Sequence, residues 1–129
     1  MKGDQMPTNG AEKINTARWL EIVKPTLRAF ADRSYQERAW FNPGPKGPVS
    51  SPTELICNLL DDFSFHRTSQ DPSFELSNAQ RAACLRFAEM VRAYTRAHKG
   101  RFDDKAVIDD PEWEKIRVAA GDLLKILPA

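Results

Sequence analysis

The sequence predicts an all-α protein, a single compact bundle of four to five helices. Apolar residues recur at steps of three and four along most of the chain, and no segment shows a sustained period of two. Several helix starts are marked by a serine or aspartate followed by proline, or by a glutamine three residues later. The chain has 129 residues, 41% of them hydrophobic, which is enough for one domain with a substantial core. These observations favour helix-on-helix packing.

The N-terminal third contains a polar stretch and the first helical pattern. Residues 1–12 are polar and include an Asn-Gly turn, so we expect a flexible tail ahead of a single helical domain at 13–129. An apolar stripe at helical spacing follows and continues weakly to Phe41. Pro25 lies within this stripe and should kink the helix or divide it in two.

The middle of the chain contains a linker and a second helix. Residues 42–52 hold four prolines and two glycines, which excludes a helix there and indicates a Pro/Gly-rich linker. Ser51 and Glu54 form a capping box around Pro52, so a helix should run from about residue 52 to the mid-60s. A loop is expected at 67–75.

Two further helices complete the predicted bundle. Ser77 and Gln80 form a second capping box, and the helix that they open should stop at Gly100. Asp110, followed by proline, caps the last helix. Four apolar side chains on these helices are expected in the core: Phe87, Trp113, Leu123 and Leu124.

The stretch "LLDDFSFH" (59–66) is the most enzyme-like part of the sequence. Asp61, Asp62 and His66 are residue types that hold metals or move protons, as a metal-dependent hydrolase requires. On a helical wheel Asp61 points away from the core, Asp62 lies on the flank and His66 leans back towards the core. The two aspartates therefore diverge by about 100° and cannot chelate one ion unaided.

No other motif supplies catalytic or metal-binding groups. Cys57 and Cys84 form no C-x-x-C pair, and there is neither a phosphate-binding glycine loop nor a nucleophile elbow. We therefore expect no catalytic residues, no metal and no cofactor, and interpret the protein as a non-enzyme.

Charge is segregated along a chain whose net charge is only +1. Residues 51–75 hold five acidic residues against Arg67 alone, a net charge of −4, and residues 103–114 hold six acidic residues against one lysine. Residues 76–100 hold five basic residues against one glutamate, a net charge of +4. The acidic regions are either solvated faces with internal ion pairs or surfaces for a basic partner.

The basic third helix offers an alternative function. Arg81, Arg92 and Arg96 share its outer face with Leu85, and a small helical protein could bind nucleic acid through that face. The exposed leucine instead suggests a central helix whose second face is covered. No apolar run reaches the ~20 residues of a membrane span, and no signal-peptide core is present, so a cytoplasmic protein without membrane contact is expected.

Three stretches resemble a family of small helical bacterial proteins: "FADRSYQERAW" (30–40), "VSSPTELICNLLDDF" (49–63) and "VIDDPEWEKIRVAAGDLLKIL" (107–127). The family is similar to immunity proteins of contact-dependent growth inhibition systems, which are encoded beside polymorphic toxins. The resemblance implies a non-catalytic inhibitor that binds the C-terminal nuclease domain of one cognate toxin, possibly a tRNA-cleaving one, and blocks its active site. No direct contact with nucleic acid is then expected. The family's "DDF" pattern maps onto Asp61, Asp62 and Phe63.

The acidic regions supply the candidate partner-binding residues. These are Glu54, Asp61, Asp62, Asp103, Asp104 and Asp109.

Overall fold

Seven α-helices occupy the part of the chain that the computed structural model describes, which comprises residues 15–41, 44, 45, 47 and 49–128. No described residue lies in a β-strand, so the all-α class is confirmed. The helices are α1 (Thr16–Ala31), α2 (Arg33–Phe41), α3 (Pro52–Cys57), α4 (Phe65–Thr68), α5 (Asn78–Ala97), α6 (Asp104–Ile108) and α7 (Pro111–Ile126). A π-helical turn (Asn58–Asp62) continues α3. The predicted tail at 1–12 and residues 42, 43, 46 and 48 of the predicted linker lie outside the described residues.

The structure has more helices than the predicted four to five. One reason is that a helix ends at a position where the apolar pattern continues without interruption. Asp32 separates α1 from α2, and its carboxylate accepts the Tyr35 N–H at 3.0 Å to start the second helix. The short helices α4 and α6 lie in segments with no helical pattern of their own. Pro25, in contrast, lies inside α1 and does not divide it. Its ring is on the exposed side, where water can reach the carbonyl that lacks a helical donor.

The predicted helix starts are confirmed where the structure describes them. Ser51 Oγ accepts the Glu54 N–H at 3.0 Å, but the reciprocal bond from the Ser51 N–H to the Glu54 side chain is not made, so the predicted capping box is only half formed. Ser77 Oγ accepts the Gln80 N–H at 3.0 Å while the Gln80 side chain accepts the Ser77 N–H at 2.7 Å, a complete capping box. Asp110 accepts the Glu112 N–H at 2.9 Å at the start of α7.

Aromatic rings run through the centre of the bundle and join its helices. Trp113 is fully buried and packs against Phe30, Trp40 and Tyr94, with ring centroids 5.4–5.9 Å apart. Phe87 meets Phe30 edge-on at 5.4 Å. These contacts tie α1, α2, α5 and α7 into one core.

Of the four predicted core residues, three are confirmed and one is only half-buried. Phe87, Trp113 and Leu123 are 0–3% exposed, whereas Leu124 packs against the edge of the core. Leu124 is half-buried because α7 turns Leu123 into the bundle, and neighbouring residues on a helix point about 100° apart.

A buried polar cluster lies beside this aromatic core. Gln36 Nε2 donates to the carbonyls of Ala29 and Phe30, which lie in the last turn of α1. Gln36 Oε1 accepts from Trp113 Nε1 and from the guanidinium of Arg117, at 3.1–3.2 Å. Arg117 is itself buried and also contacts the carboxylate of Glu114 on the next turn of α7. The cluster fixes the end of α1 against α7.

α1 is in contact with several other elements of the bundle. It packs against α7, α3 and the π-helical turn, while α6 packs against α2 and α7. Among the described helices, none has the length and apolar character needed to cross a membrane.

Candidate partner-binding surface

The acidic stretch at residues 59–66 begins in the π-helical turn, which ends at Asp62, and does not continue α3 as a regular helix. The Phe63 N–H donates to the Asn58 carbonyl, five residues earlier, at 3.0 Å. A five-residue hydrogen bond widens the turn and changes the angles between side chains. The expectation of one regular helix to the mid-60s is therefore wrong beyond Cys57.

Ser64 reverses the chain after this turn. Its φ of 46° and ψ of 48° are left-handed, a conformation that costs a non-glycine residue about 1–2 kcal/mol. The reversal places Phe65 in the core and starts α4, which carries His66. His66 Nδ1 is buried without a hydrogen-bond partner among the described residues, as a ring leaning towards the core would be. His66 and Asp62 consequently lie on different helical segments.

Glu54, Asp61 and Asp62 all face solvent on α3 and the π-helical turn. None of the three has an ion pair within the described chain. Cys57 lies on the same exposed surface, where partial burial and the neighbouring Asp61 and Asp62 raise the pKa of its thiol. A raised pKa disfavours the thiolate, so this cysteine is not set up as a nucleophile. We call the three carboxylates the α3 acidic face.

A hollow with an aromatic floor adjoins this face. It has a volume of about 590 Å³, and Asp62 and Arg67 lie at its rim. Trp19 and Phe74 form part of the floor, with ring centroids 5.3 Å apart. The Trp19 indole is held by a hydrogen bond to Thr68 Oγ1 at 2.9 Å, so the floor is fixed by α4. No local sequence pattern indicates this hollow, because Trp19 and Phe74 are 55 positions apart.

The second acidic region carries the other three candidate residues on and beside α6. Asp103 caps α6 by accepting the Lys105 N–H at 3.3 Å. Asp104 is half-buried in the first turn, where burial and the neighbouring Asp103 raise the pKa of its carboxyl. Asp109 pairs with Arg33 on α2 at 2.7 Å. This region thus uses its carboxylates largely within the molecule.

The remaining acidic residues of this region are also engaged. Asp110 accepts the Tyr94 hydroxyl at 2.8 Å as well as capping α7. Glu112 pairs with Lys115 at 2.9 Å, and Glu114 contacts Arg117. The two acidic regions carry similar charge in the sequence but use it differently. The carboxylates near α6 mostly bind other groups of the protein, whereas those of the α3 acidic face have no ion pair among the described residues.

Metal-binding and nucleophilic groups do not converge. No three His, Cys, Asp or Glu side chains among the described residues are grouped to hold a metal ion. Cys84 is buried, which raises the pKa of its thiol to about 12. His98 ends α5 and lies near the Tyr94 carbonyl and Asp110, on elements other than those of Cys57 and His66. His98 Nε2 lies 3.6 Å from Asp110 Oδ2, a carboxylate that also accepts the Tyr94 hydroxyl, and this is the His–carboxylate pair found among the described residues.

The arginines of α5 do not form the continuous outward face that their spacing predicted. The guanidinium of Arg81 is partly buried and donates to the carbonyls of Ser69, Asp71, Phe74 and Leu76, which fixes the loop before α5. Arg92 pairs with Glu89 at 3.2 Å. Leu85 remains exposed, so the described elements do not cover this side of α5 as predicted.

No protein-family model, curated protein or solved structure matches this chain.

Proposed function

We propose that this protein is an immunity protein that binds the C-terminal nuclease domain of one cognate toxin and neutralises it by covering its active site. The observation that supports the proposal is the α3 acidic face. Its carboxylates have no ion pair among the described residues, whereas those beside α6 are largely taken up in caps and salt bridges. Exposed charges without an ion pair add little to the stability of the fold. Binding to a basic partner therefore explains these carboxylates better than a structural role does.

The chemistry of the proposed partner follows from the charge. An enzyme that cleaves RNA or DNA binds phosphates through a basic cleft. Carboxylates on a convex helical surface can occupy such a cleft and exclude the substrate, while the same charges disfavour binding of nucleic acid by the inhibitor itself. The proposed inhibitor needs no metal, cofactor or catalytic group, and it acts in the bacterial cytosol, where the toxin's substrate is found.

The hollow beside Asp62 gives this surface a place for an apolar anchor. Binding energy in protein interfaces is concentrated where large side chains enter desolvated pockets, and rim charges mainly steer and orient the partner. An aromatic floor next to unpaired carboxylates supplies both parts. We expect the toxin to place an apolar or arginine side chain over Trp19 and Phe74.

The first experiment identifies the partner. The tagged full-length chain is expressed in its native host, and bound proteins are identified after purification. The expected partner is a toxin whose isolated C-terminal domain cleaves nucleic acid and is inhibited stoichiometrically by this protein. A captured partner without toxic activity, or a toxin that stays active when bound, would overturn the proposal.

The second experiment locates the binding face by calorimetry with the purified toxin domain. Reversing both Asp61 and Asp62 to lysine should weaken binding by about 100-fold or more, because like charges then face each other across the interface. Reversing Asp103 and Asp109 tests the α6 region and changes the net charge by the same amount, so each double variant is the charge-matched control for the other. Circular dichroism should show an unchanged fold for each variant. A loss confined to the Asp103/Asp109 variant would move the binding face to α6.

A further inference from the structure

An open apolar groove runs between α5 and α7 on the side away from the core. Its main hollow has a volume of about 740 Å³ and is lined by Ala83, Met90, Ala119 and Leu123. Smaller hollows continue it along both helices and share Met90 and Ala119 with it. Alanine side chains are too short to fill the space between the two helices, so the groove stays open.

Large hydrophobic side chains surround this groove and remain in contact with water. Among the described residues, four large hydrophobics are exposed, and three of them lie on α5 and α7: Leu85 (39%), Val118 (53%) and Ile126 (45%). Clustered exposed apolar side chains mark an interaction surface, whereas single ones are ordinary. The groove and its rim thus form one apolar patch, which we call the α5–α7 face.

Charged side chains on the two edges of this face make it complementary to itself. Arg86 lies on the α5 edge and Asp122 on the α7 edge of the same hollow. Glu89 also lines this hollow from α5, but its carboxylate is paired with Arg92 at 3.2 Å. Within the described chain neither Arg86 nor Asp122 has an ion pair. An exposed pair of opposite sign, separated by an apolar groove, suits a partner with the reverse arrangement. A second copy of the same face has that arrangement.

The direction of the helices determines how two copies fit. α5 and α7 are antiparallel: Gln80 donates to the Ile126 carbonyl at one end, and Tyr94 donates to Asp110 at the other. A two-fold axis parallel to both helices lays α5 of one copy on α7 of the other, again antiparallel. Counted from these two contacts, Arg86 lies level with Ala119, so Asp122 is offset by roughly three residues, about 4.5 Å along the helix axis. A long arginine side chain spans that offset, so each arginine can reach the aspartate of the other copy, twice per dimer.

We propose that the protein forms a homodimer through the α5–α7 face, a four-helix arrangement with two reciprocal Arg86–Asp122 pairs. α7 is about 24 Å long and two adjacent helices are about 20 Å wide, so the face spans about 480 Å² per partner, which is below the ~800 Å² of a standard interface and fits a weak, concentration-dependent dimer. No residue of the α3 acidic face lines the groove or the smaller hollows beside it, so that face stays open in this dimer. The dimer would therefore present two toxin-binding faces, and the two proposals stand or fall separately.

Sedimentation equilibrium of the full chain tests the dimer. The wild-type protein should have twice the chain mass at about 100 μM. Arg86→Asp and Asp122→Arg should each weaken the dimer at least about 100-fold, since each places like charges together twice. Mixing the two variants restores both pairs in a heterodimer, and the double variant restores them in a homodimer, so both should recover the dimer mass.

Circular dichroism of each variant separates loss of the dimer from loss of the fold, and Glu37→Lys serves as a charge-changing control that should leave the dimer intact. A wild-type monomer at that concentration would overturn the proposal. So would a dimer that both single variants leave unchanged, or single variants that fail to rescue each other while folded. If the wild type is monomeric and Leu85→Glu abolishes toxin binding, the groove belongs to the toxin and not to a second copy.

Discussion

Replacing Gln36 by methionine is expected to lower the free energy of unfolding by more than the loss of one ordinary hydrogen bond would. The side chain is fully buried and joins α2 to both α1 and α7. Methionine has a similar size and keeps most of the packing, but it removes every hydrogen bond that the amide makes. The substitution therefore isolates the polar contribution of this position.

The magnitude follows from the bonds that are lost. The amide donates to the carbonyls of Ala29 and Phe30 at 2.8–2.9 Å and accepts from the Trp113 indole at 3.2 Å. Each hydrogen bond between neutral groups contributes about 1 kcal/mol. The two-pronged hydrogen bond from the Arg117 guanidinium to Gln36 Oε1 contributes about 1.5–3 kcal/mol, because its donor is charged. The expected loss in the free energy of unfolding is about 4–6 kcal/mol, a large part of the 5–15 kcal/mol typical of a domain.

Equilibrium urea denaturation followed by circular dichroism measures this loss. Gln70→Met is the matched control, because the Gln70 amide donates to the Arg81 carbonyl at 2.9 Å but is exposed, and water can replace that bond. The control should lose less than about 1 kcal/mol. In Gln36→Met the Arg117 guanidinium keeps the Glu114 carboxylate and the Ile108 carbonyl as acceptors, so adding Arg117→Met should lower the stability further and not recover it. A loss for Gln36→Met as small as the control's would refute the reasoning.

Three further predictions test the packing and the ionisable groups. Leu123→Ala should lower the free energy of unfolding in urea by about 2–5 kcal/mol, and Leu124→Ala should lower it clearly less, because only Leu123 is fully buried. Equal losses would show that α7 is rotated from its described position. A thiol reagent at about pH 8 should modify Cys57 in the native protein, but more slowly than in the unfolded chain. The same reagent should leave Cys84 unmodified until the protein unfolds, and labelling of Cys84 in the native protein would contradict its burial. Burial and Asp103 raise the pKa of Asp104, so the folded state holds that proton more strongly and ionisation of Asp104 lowers stability as pH rises through the folded pKa. Asp104→Asn should therefore raise the urea midpoint at neutral pH, with the gain disappearing in acid, and a gain that instead grows towards acid pH would be inconsistent with this assignment.

The candidate site was only partly accessible to sequence reasoning. The exposure of Asp61 follows from helical periodicity. The difference between the two acidic regions does not follow, because it depends on Arg33 reaching Asp109 across 76 positions. Arg81 likewise looks like a surface cation in the sequence, and it becomes structural only when the loop before α5 folds back over it.

What the sequence by itself determined is local. Ser51, Ser77 and Asp110 start their helices through hydrogen bonds to backbone groups two or three residues away, and such bonds form wherever the chain is helical. The apolar stripes that define the fold class have the same short range. The tertiary structure alone decided the π-helical turn before Ser64, the half-burial of Leu124 and the open groove between α5 and α7. Each of these depends on how much space the neighbouring helices leave, and distant residues set that space through packing that no local pattern encodes.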